Sequence, residues 1–391
     1  MKTIFWISLF IVFYTYVGYG LLLYLLVKIK ERLLGTVKIK TQDGDLPDVT
    51  LLIAAYNEEK IVDDKMSNCK EINYPADKLK ITWITDGSTD KTNDKLSAYS
   101  NAFVYFEPKR GGKTAALNRA MKFINTDIII FTDANTMLNK EAIIEIVMAF
   151  FNPRVGCVAG EKRISLARNG NVSSRGEGAY WRYESTIKDL DSRLNTAVGA
   201  AGELFAVRKN LYEFVEEDTL LDDFVISMRI AEKGYKIKYC KNAYAVESGS
   251  LNMEEEKKRK VRIAAGGIQS VVRLSSLLNI FRFPLLSFQY ISHRVLRWTI
   301  TPVLLILLLP LNITLVVKDF YSGYTILLIF QIIFYLASLI GKLAEENGNK
   351  QNVFILPYYF MFMNFNLFAG LRYLLLKRRG DGTWEKARRA E

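Results

Sequence analysis

The chain has one histidine, His293, and three cysteines, Cys69, Cys157 and Cys240, in 391 residues. A single imidazole excludes the usual histidine-based zinc centres, and its place in a hydrophobic stretch far along the chain excludes a Ser-His-Asp triad in the polar central region. The cysteines are odd in number, widely spaced and without a C-x-x-C pair, as free thiols in a reducing compartment are. Any bound metal must therefore be a hard ion held by oxygen. Charge is also missing locally: no charged residue stands from Thr3 to Val27, a stretch long enough to cross a bilayer as a helix. That apolar run is too long for a secretory signal, and no small-x-small cleavage site follows it.

What is present is segregated. Three further apolar stretches, Trp298 to Val317, Tyr324 to Ile340 and Val353 to Leu376, lie near the C-terminus, the last made irregular by Asn364, Asn366, Gly370 and Arg372. Ahead of them, "LLNIFRFPLLSFQYISHRVLRW" mixes aromatic and basic residues around Pro284, which suits a helix lying in the membrane interface. The organisation expected is a spanning helix over residues 1–30, a globular domain over 47–272, an interfacial amphipathic helix over 273–297, a membrane region over 298–376 and a basic tail over 377–391. The basic segment "KIKERLLGTVKIK" after the first span places the central domain in the cytoplasm, as part of a multi-pass protein of the inner (plasma) membrane. Three clean spans after it would carry the basic tail outside, so the last stretch is expected to re-enter or break near Asn364 and Asn366. The formal charge of +12 reads as attraction to a membrane surface and to phosphate, with no nucleic-acid-binding signature.

Between the flanks, β and α patterns alternate. "DVTLLIAAY", "KITWIT", "AFVYFE" and "DIIIFTD" read as strands, with "NEEKIVDDKMSNCKEI" and "KTAALNRAMKFI" as helices, which implies an α/β, mostly parallel, Rossmann-like sheet. Polar clusters then gather at strand ends, in "AYNEE", "TDGSTD" and "TDANT", where open α/β sheets bind ligands. Each cluster is also what a strand needs in order to turn; the three together point to a nucleotide crevice. "KRGGKTAALN" imitates the tail of a P-loop, but Glu107 stands where that motif requires glycine. Gly111 and Gly112 still allow close approach at a helix start, where Lys113 either meets a diphosphate or is merely solvated.

"AYNEE", "TDGSTD", "KTAALN", "TDANT", "LLDDFVISMR" and "RKVRIAAGG", in this order and between membrane helices, resemble the family 2 glycosyltransferases, in particular the membrane-embedded exopolysaccharide synthases that make poly-N-acetylglucosamine, hyaluronan and cellulose. The resemblance implies a GT-A fold, a nucleotide-sugar donor, commonly a UDP-sugar, and Mg²⁺ or Mn²⁺. It implies that Tyr56 packs on the base and Asp86 binds it, with Glu58 beside them. Asp133 matches the first aspartate of the family's D-x-D and would reach metal and diphosphate. Asn135 stands in place of the second, where it either ligates the metal through an uncharged oxygen or caps the turn.

The same resemblance puts Asp222 and Asp223 at the family's T-E-D stretch. Adjacent carboxylates raise each other's proton affinity, which suits Asp223 to act as general base, although an acidic helix start would have the same composition. Arg229, on the same helix, is expected to order the pair. Arg259 and Arg262 fall where the synthases carry Q-x-x-R-W, three residues apart on one helix face, and both are expected near the diphosphate unless they form a solvated basic face. Ile263 replaces the tryptophan that holds the acceptor sugar, which puts processive polymerisation in doubt but not glycosyl transfer. Gly202 and Glu203, in "GAAGELFAVRK", are assigned to the acceptor loop, and Trp181 and Tyr183 line the acceptor side or pack in the core.

The function expected is an inverting, metal-dependent hexosyl transfer, with Asp223 as base, to a growing polysaccharide. The alternatives are a single addition to a lipid-linked acceptor, or a membrane protein that senses nucleotides without catalysis.

Overall fold

The computed structural model describes residues 1–35, 45–165, 172–347 and 353–376, so the basic segment after residue 35 and the tail 377–391 lie outside the described residues. Eight strands, β1 (Val49–Ala55), β2 (Leu79–Asp86), β3 (Ala102–Glu107), β4 (Ile128–Asp133), β5 (Thr136–Leu138), β6 (Val155–Ser165), β7 (Leu204–Arg208) and β8 (Lys236–Ser248), form one sheet in the order β3-β2-β1-β4-β7-β6-β8-β5. All four strands read from the sequence are present, as β1 to β4, and they pair in parallel. β7 then enters antiparallel to both β4 and β6, so four of the seven pairings are parallel.

The parallel half is buried on both faces, which is why its strands are nearly continuous apolar runs. Successive residues feed two cores. Leu51 and Ile53 join Ile128 and Ile130 on one side, whereas Leu52 joins Ile129 and Phe131 on the other. The first core is covered by α3 (Val62–Lys70), α4 (Thr92–Ser97) and α6 (Ala142–Phe150), through residues such as Met66, Leu96 and Ile146. The second is covered by α5 (Lys113–Ala120) and α8 (Asp222–Glu232), through Leu117, Phe224 and Val225. The first helix is shorter than its sequence pattern suggested. Asn57 has φ 53°, a left-handed turn that lets the chain leave β1 before α3 begins.

Register fixes the functional edge. Ala55 pairs with Thr85, and Ala54 pairs with Asp133, so the chain leaves β1, β2 and β4 at one level, with Tyr56, Asp86 and Asp133 along the same rim.

The N-terminal helix runs from Lys2 to Leu34 as α1 (Lys2–Phe13), a π-helical turn (Tyr14–Gly18) and α2 (Tyr19–Leu34). Its halves do different work. Phe5 on α1 packs with Leu308 and Leu315 of α12 (Ile300–Lys318), while Tyr19, Leu23 and Val27 on α2 pack on Ile187, Leu190 and Leu194 of α7 (Val172–Leu194). The helix Lys2–Leu34, α12 and α13 (Gly323–Glu346) are the described helices long and apolar enough to span a membrane.

Two expectations about the C-terminal region are corrected. The stretch 273–297 is not one continuous helix. After α9 (Met253–Arg273) it forms a short turn at Ser275–Leu278, then α10 (Pro284–Tyr290), a π-helical turn (Ile291–Val295) and α11 (Leu296–Trp298), with His293 and Arg294 turned inward and buried. The last stretch does not break at its asparagines. It is one helix, α14 (Ile355–Leu376), because the amides of Asn364 and Asn366 donate back to the carbonyls of Phe360 and Phe362, at 2.9 and 2.8 Å. Nor is it among the three apolar spans: it lies against α9, where Gly370 brings the backbones together. A Cβ at Gly370 would stand 2.7 Å from both the Ala264 Cβ and the Ala265 nitrogen. Gly370→Leu should therefore lever α14 off α9 and cost about 1–3 kcal/mol, read as a lower unfolding midpoint of the detergent-solubilised protein.

Candidate active site

A cavity of about 540 Å³ begins at the rim of the sheet and continues beneath the membrane helices. Its polar wall contains Lys113, Asp133, Gly202, Glu203, Asp222 and Asp223. Each arrives by a different route. Asp133 ends β4, and the turn after it is held from below by buried Lys65, whose ammonium donates to the Thr132 hydroxyl at 3.2 Å and to the Thr136 carbonyl. Burial lowers that lysine to about 8. Lys113 opens α5 after Gly112, whose φ of 92° is available to glycine without strain. Asp222 and Asp223 form the first turn of α8, where the helix dipole favours carboxylates.

Lys113 is the hub. Its ammonium lies 2.6 Å from Asp133 Oδ1, and a Cβ added to Gly202 would come within 3.1 Å of the same nitrogen and 3.5 Å of Asp223 Oδ2. Burial disfavours the ammonium, but Asp133, Asp222 and Asp223 outweigh it and hold the amine protonated. Asp223 is pushed the other way. Burial and the neighbouring Asp222 raise its carboxyl to about 7 against the pull of Lys113. Its Oδ1 accepts from the Phe224 amide at 2.8 Å, and Asp222 Oδ2 is buried without a hydrogen-bond partner among the described residues.

The other residues singled out in the sequence divide into groups. Asp86 is nearly inaccessible, and its carboxylate accepts from the amides of Gly111 and Gly112, at 3.0 and 2.7 Å, so it shapes the glycine turn ahead of Lys113. Tyr56 stands on the same rim with the Arg110 guanidinium 3.8 Å from its ring centre, and the buried Glu58 donates its backbone amide to Thr92 Oγ1. The Asn135 amide donates to Glu247 on β8 at 3.3 Å. Arg262 lines the cavity beside Ile263, with its Nε unpaired among the described residues.

Arg259 lines the same cavity as Lys113 but is taken up in ion pairs. It is buried among Glu177, Glu256 and Glu203, next to Lys162, which is bonded to Glu203 and Glu247. Burial works against the Glu203 carboxylate, but Lys162 and Arg259 overcome it and hold its proton affinity well below the usual range. Trp181 lines the cavity with its indole nitrogen 3.3 Å from Glu177 and the Lys162 ammonium 5.0 Å from its ring. Tyr183 donates to the Tyr16 carbonyl of the N-terminal helix at 2.9 Å. Arg229 does not order the aspartate pair. It holds Glu216 and the Phe214 carbonyl on the loop before α8.

Sequence reasoning missed the ion network around Lys162 and the cluster of Glu184, Asp191, His293, Arg294 and Arg297 beneath the cavity. His293 sits between Asp191 (2.6 Å) and Glu184 (3.1 Å). A signal was present in "ISHRVLRW", where His293, Arg294 and Arg297 share one helical face, but their acidic partners lie about a hundred residues away. Among the described residues no cluster of three or more His, Cys, Asp or Glu side chains is arranged to hold a metal. Asp133 offers a single hard carboxylate, to which a nucleotide's diphosphate oxygens would have to add ligands.

Comparison with known proteins agrees with this geometry. Residues 50–215 match Glycosyl transferase family 2. Poly-beta-1,6-N-acetyl-D-glucosamine synthase of Staphylococcus aureus (strain COL) is 29% identical over 253 residues, covering 62% of this chain and 60% of that protein. The chain thus matches about 60% of the length of that relative, less than two thirds. The probable glycosyltransferase YdaM of Bacillus subtilis (strain 168) is 25% identical over 385 residues, covering 88% and 87% of the two chains. Among solved structures, the mannosyltransferase PcManGT from Pyrobaculum calidifontis, in complex with GDP-Man and Mn²⁺, superposes with a TM-score of 0.70 at 20% identity over 95% of this chain and 99% of its own. The fold is therefore GT-A-like, flanked by candidate membrane spans.

Lys162, 1% exposed through its side chain, neutralises Glu203 and Glu247. Lys162→Met should take a buried ammonium away from these buried carboxylates and cost roughly 3–5 kcal/mol, measured by denaturant unfolding of the purified protein.

Proposed function

We propose that this chain, which carries a glycosyl transferase family 2 domain at residues 50–215, is a membrane-bound inverting glycosyltransferase. It takes a sugar from a nucleotide-sugar, a UDP-sugar in the first instance, and passes it to the hydroxyl of a growing carbohydrate acceptor. The observation that carries this reading is one cavity lined at once by Lys113, Asp133, Asp222 and Asp223 and by Tyr16 and Pro302 of the apolar helices. Donor chemistry and a membrane-delivered acceptor can meet there.

The nucleoside would sit along Tyr56 and the Asp86 rim, with its diphosphate toward Lys113 and Arg262. A divalent ion, Mg²⁺ or Mn²⁺, held by Asp133 and the diphosphate, would supply positive charge against the leaving group. The acceptor oxygen forms a bond to the anomeric carbon as the bond from that carbon to the diphosphate breaks. The hydroxyl proton passes to Asp223, and the nucleoside diphosphate leaves with the electron pair. Lys113 and Arg262 stabilise the charge that develops, and Gly202 leaves room beside Asp223 for the acceptor. No covalent enzyme intermediate is needed.

With the N-terminus outside and the domain in the cytoplasm, the three candidate spans return α14 to the domain's side. That matches its packing against α9 and removes the parity conflict met in the sequence. The basic tail then also falls on the cytoplasmic side.

Five outcomes test this reading. Asp223→Asn should lower transfer roughly 10²–10⁴-fold while nucleotide binding survives; substantial residual turnover would remove the base. Because the raised value means that ionising Asp223 opposes folding, the same variant should unfold no earlier than wild type at neutral pH. In wild type, kcat/KM should rise with pH through about 7 and level off above it, since Asp223 must lose its proton before it can accept another. A flat profile from pH 5.5 to 8.5 would contradict that role. EDTA or Asp133→Ala should weaken donor binding, checked by calorimetry with and without Mn²⁺. A panel of nucleotide-sugars identifies the donor, and product length separates a polymerase from a single-step transferase.

A further inference from the structure

The half of the cavity nearest the membrane helices is more basic than a neutral acceptor requires. Seven basic residues line the whole cavity (Lys113, Lys188, Arg259, Lys260, Arg262, Arg294, Arg297) against four acidic ones (Asp133, Glu203, Asp222, Asp223). Lys113 and Arg259 are answered by carboxylates. Lys188 on α7 is not. It is 3% exposed, and among the described residues its ammonium makes no ion pair or hydrogen bond; its recorded neighbour is the face of Trp181, 6.0 Å away. Burial and the nearby Arg294 lower its proton affinity, with Glu184, Asp223 and Glu203 pulling the other way.

Arg294 and Arg297 line the same cavity and lean on the same carboxylate, Glu184, which also meets His293. Both leave a buried Nε–H without a hydrogen-bond partner among the described residues. Arg294 lies in the π-helical turn Ile291–Val295, and Tyr14, in the π-helical turn of the N-terminal helix, meets Ser292 at 2.8 Å. The two irregular turns are therefore locked against each other where the cavity passes under the spans. Beyond the basic residues the wall becomes apolar, with Pro302 on α12 and Leu356, Phe360 and Met363 on α14.

A buried ammonium that makes no direct ion pair or hydrogen bond among the described residues, with Glu184, Asp223 and Glu203 only within electrostatic reach, stands with two guanidiniums that each keep an unpaired Nε–H, and an anion would complete all three. An apolar wall next to it suits a hydrocarbon chain. We infer that this part of the cavity binds a phosphoryl group carried on a long apolar chain, with Lys188, Arg294 and Arg297 around the oxyanion and the chain against Pro302, Phe360 and Met363. The ligand is then a phosphorylated lipid entering from the bilayer. On the glycosyltransferase reading, on which this role alone rests, it is the carrier that brings the acceptor to Asp223.

The test measures binding of hexadecyl phosphate, hexadecanol and inorganic phosphate to the full-length protein in a neutral detergent, with UDP titrated separately. Wild type should bind hexadecyl phosphate at least tenfold more tightly than hexadecanol, with inorganic phosphate a weak competitor. Lys188→Gln should remove most of that preference, Lys188→Arg should keep it, and UDP affinity should be unchanged in both. Equal binding of the alcohol, or a preference that survives Lys188→Gln in a folded protein, would overturn the inference. Inorganic phosphate competing as well as the alkyl phosphate would reduce the site to one for a free anion and also overturn it. Loss of UDP affinity in Lys188→Gln would assign the site to the donor's diphosphate instead. These readouts need no turnover, so absence of transfer from every nucleotide-sugar would defeat the enzymatic reading and leave the lipid-binding result standing by itself.

Discussion

One ammonium facing three carboxylates organises this protein. Lys113 is in contact with Asp133 and lies within electrostatic reach of Asp222 and Asp223, and those groups come from an α5 start, a β4 end and an α8 start. Without the lysine, three acidic side chains would crowd one partly buried wall, a costly arrangement at neutral pH. With it, charge is shared unevenly: the amine keeps its proton, whereas Asp223 is left with a proton affinity close to neutrality. A group so poised can accept a proton and release it again, which is the property a displacement at a sugar carbon requires.

The sheet makes that convergence possible. Parallel pairing of β2, β1 and β4 brings three strand ends to one edge, and the antiparallel entry of β7 carries Gly202 and Glu203 back to the same place. Behind the edge, Lys162 and Arg259 bind Glu177, Glu203, Glu247 and Glu256 together, so the loop of Gly202 and Glu203 is anchored by ion pairs hidden from water. Such a network adds little net stability relative to an apolar core, yet breaking it is expensive, and that asymmetry holds the geometry in place. The membrane helices complete the enclosure. The long N-terminal helix is shared, its first half packing on α12 and its second on α7, so the cavity wall is built partly of domain and partly of span.

Much of this was legible in the sequence. Buried parallel strands announce themselves as apolar runs ended by polar turns, which is how β1 to β4, Asp133 and Lys113 were found. The T-E-D-like stretch pointed to Asp222 and Asp223 because a helix start after a polar linker shows in the local pattern. What the sequence hid was every feature that depends on distant pairing. β7 is only five residues long and gives no sign of its direction. Arg259, three residues before Arg262, shares its helix face in the sequence pattern, but Arg259 is buried where α9 meets the domain and pairs with Glu177. Asn364 and Asn366 looked like helix breakers because an asparagine's choice between capping a turn and bonding back to its own helix is made by the surroundings. His293, set aside as a lone interfacial residue, became the centre of a buried cluster whose acids lie on α7.

The account's central claim is that the rim of β1, β2 and β4, Lys113 and Asp223 together receive an activated sugar. The most direct test is a structure of the full-length protein with a nucleoside diphosphate and Mn²⁺. The account predicts density for the base beside Tyr56, the diphosphate within hydrogen-bonding distance of Lys113, and the cation on Asp133, with Asp223 facing the open space beyond. A nucleotide bound elsewhere, or one bound at this rim with its phosphates turned away from Lys113 and Asp133, would contradict it.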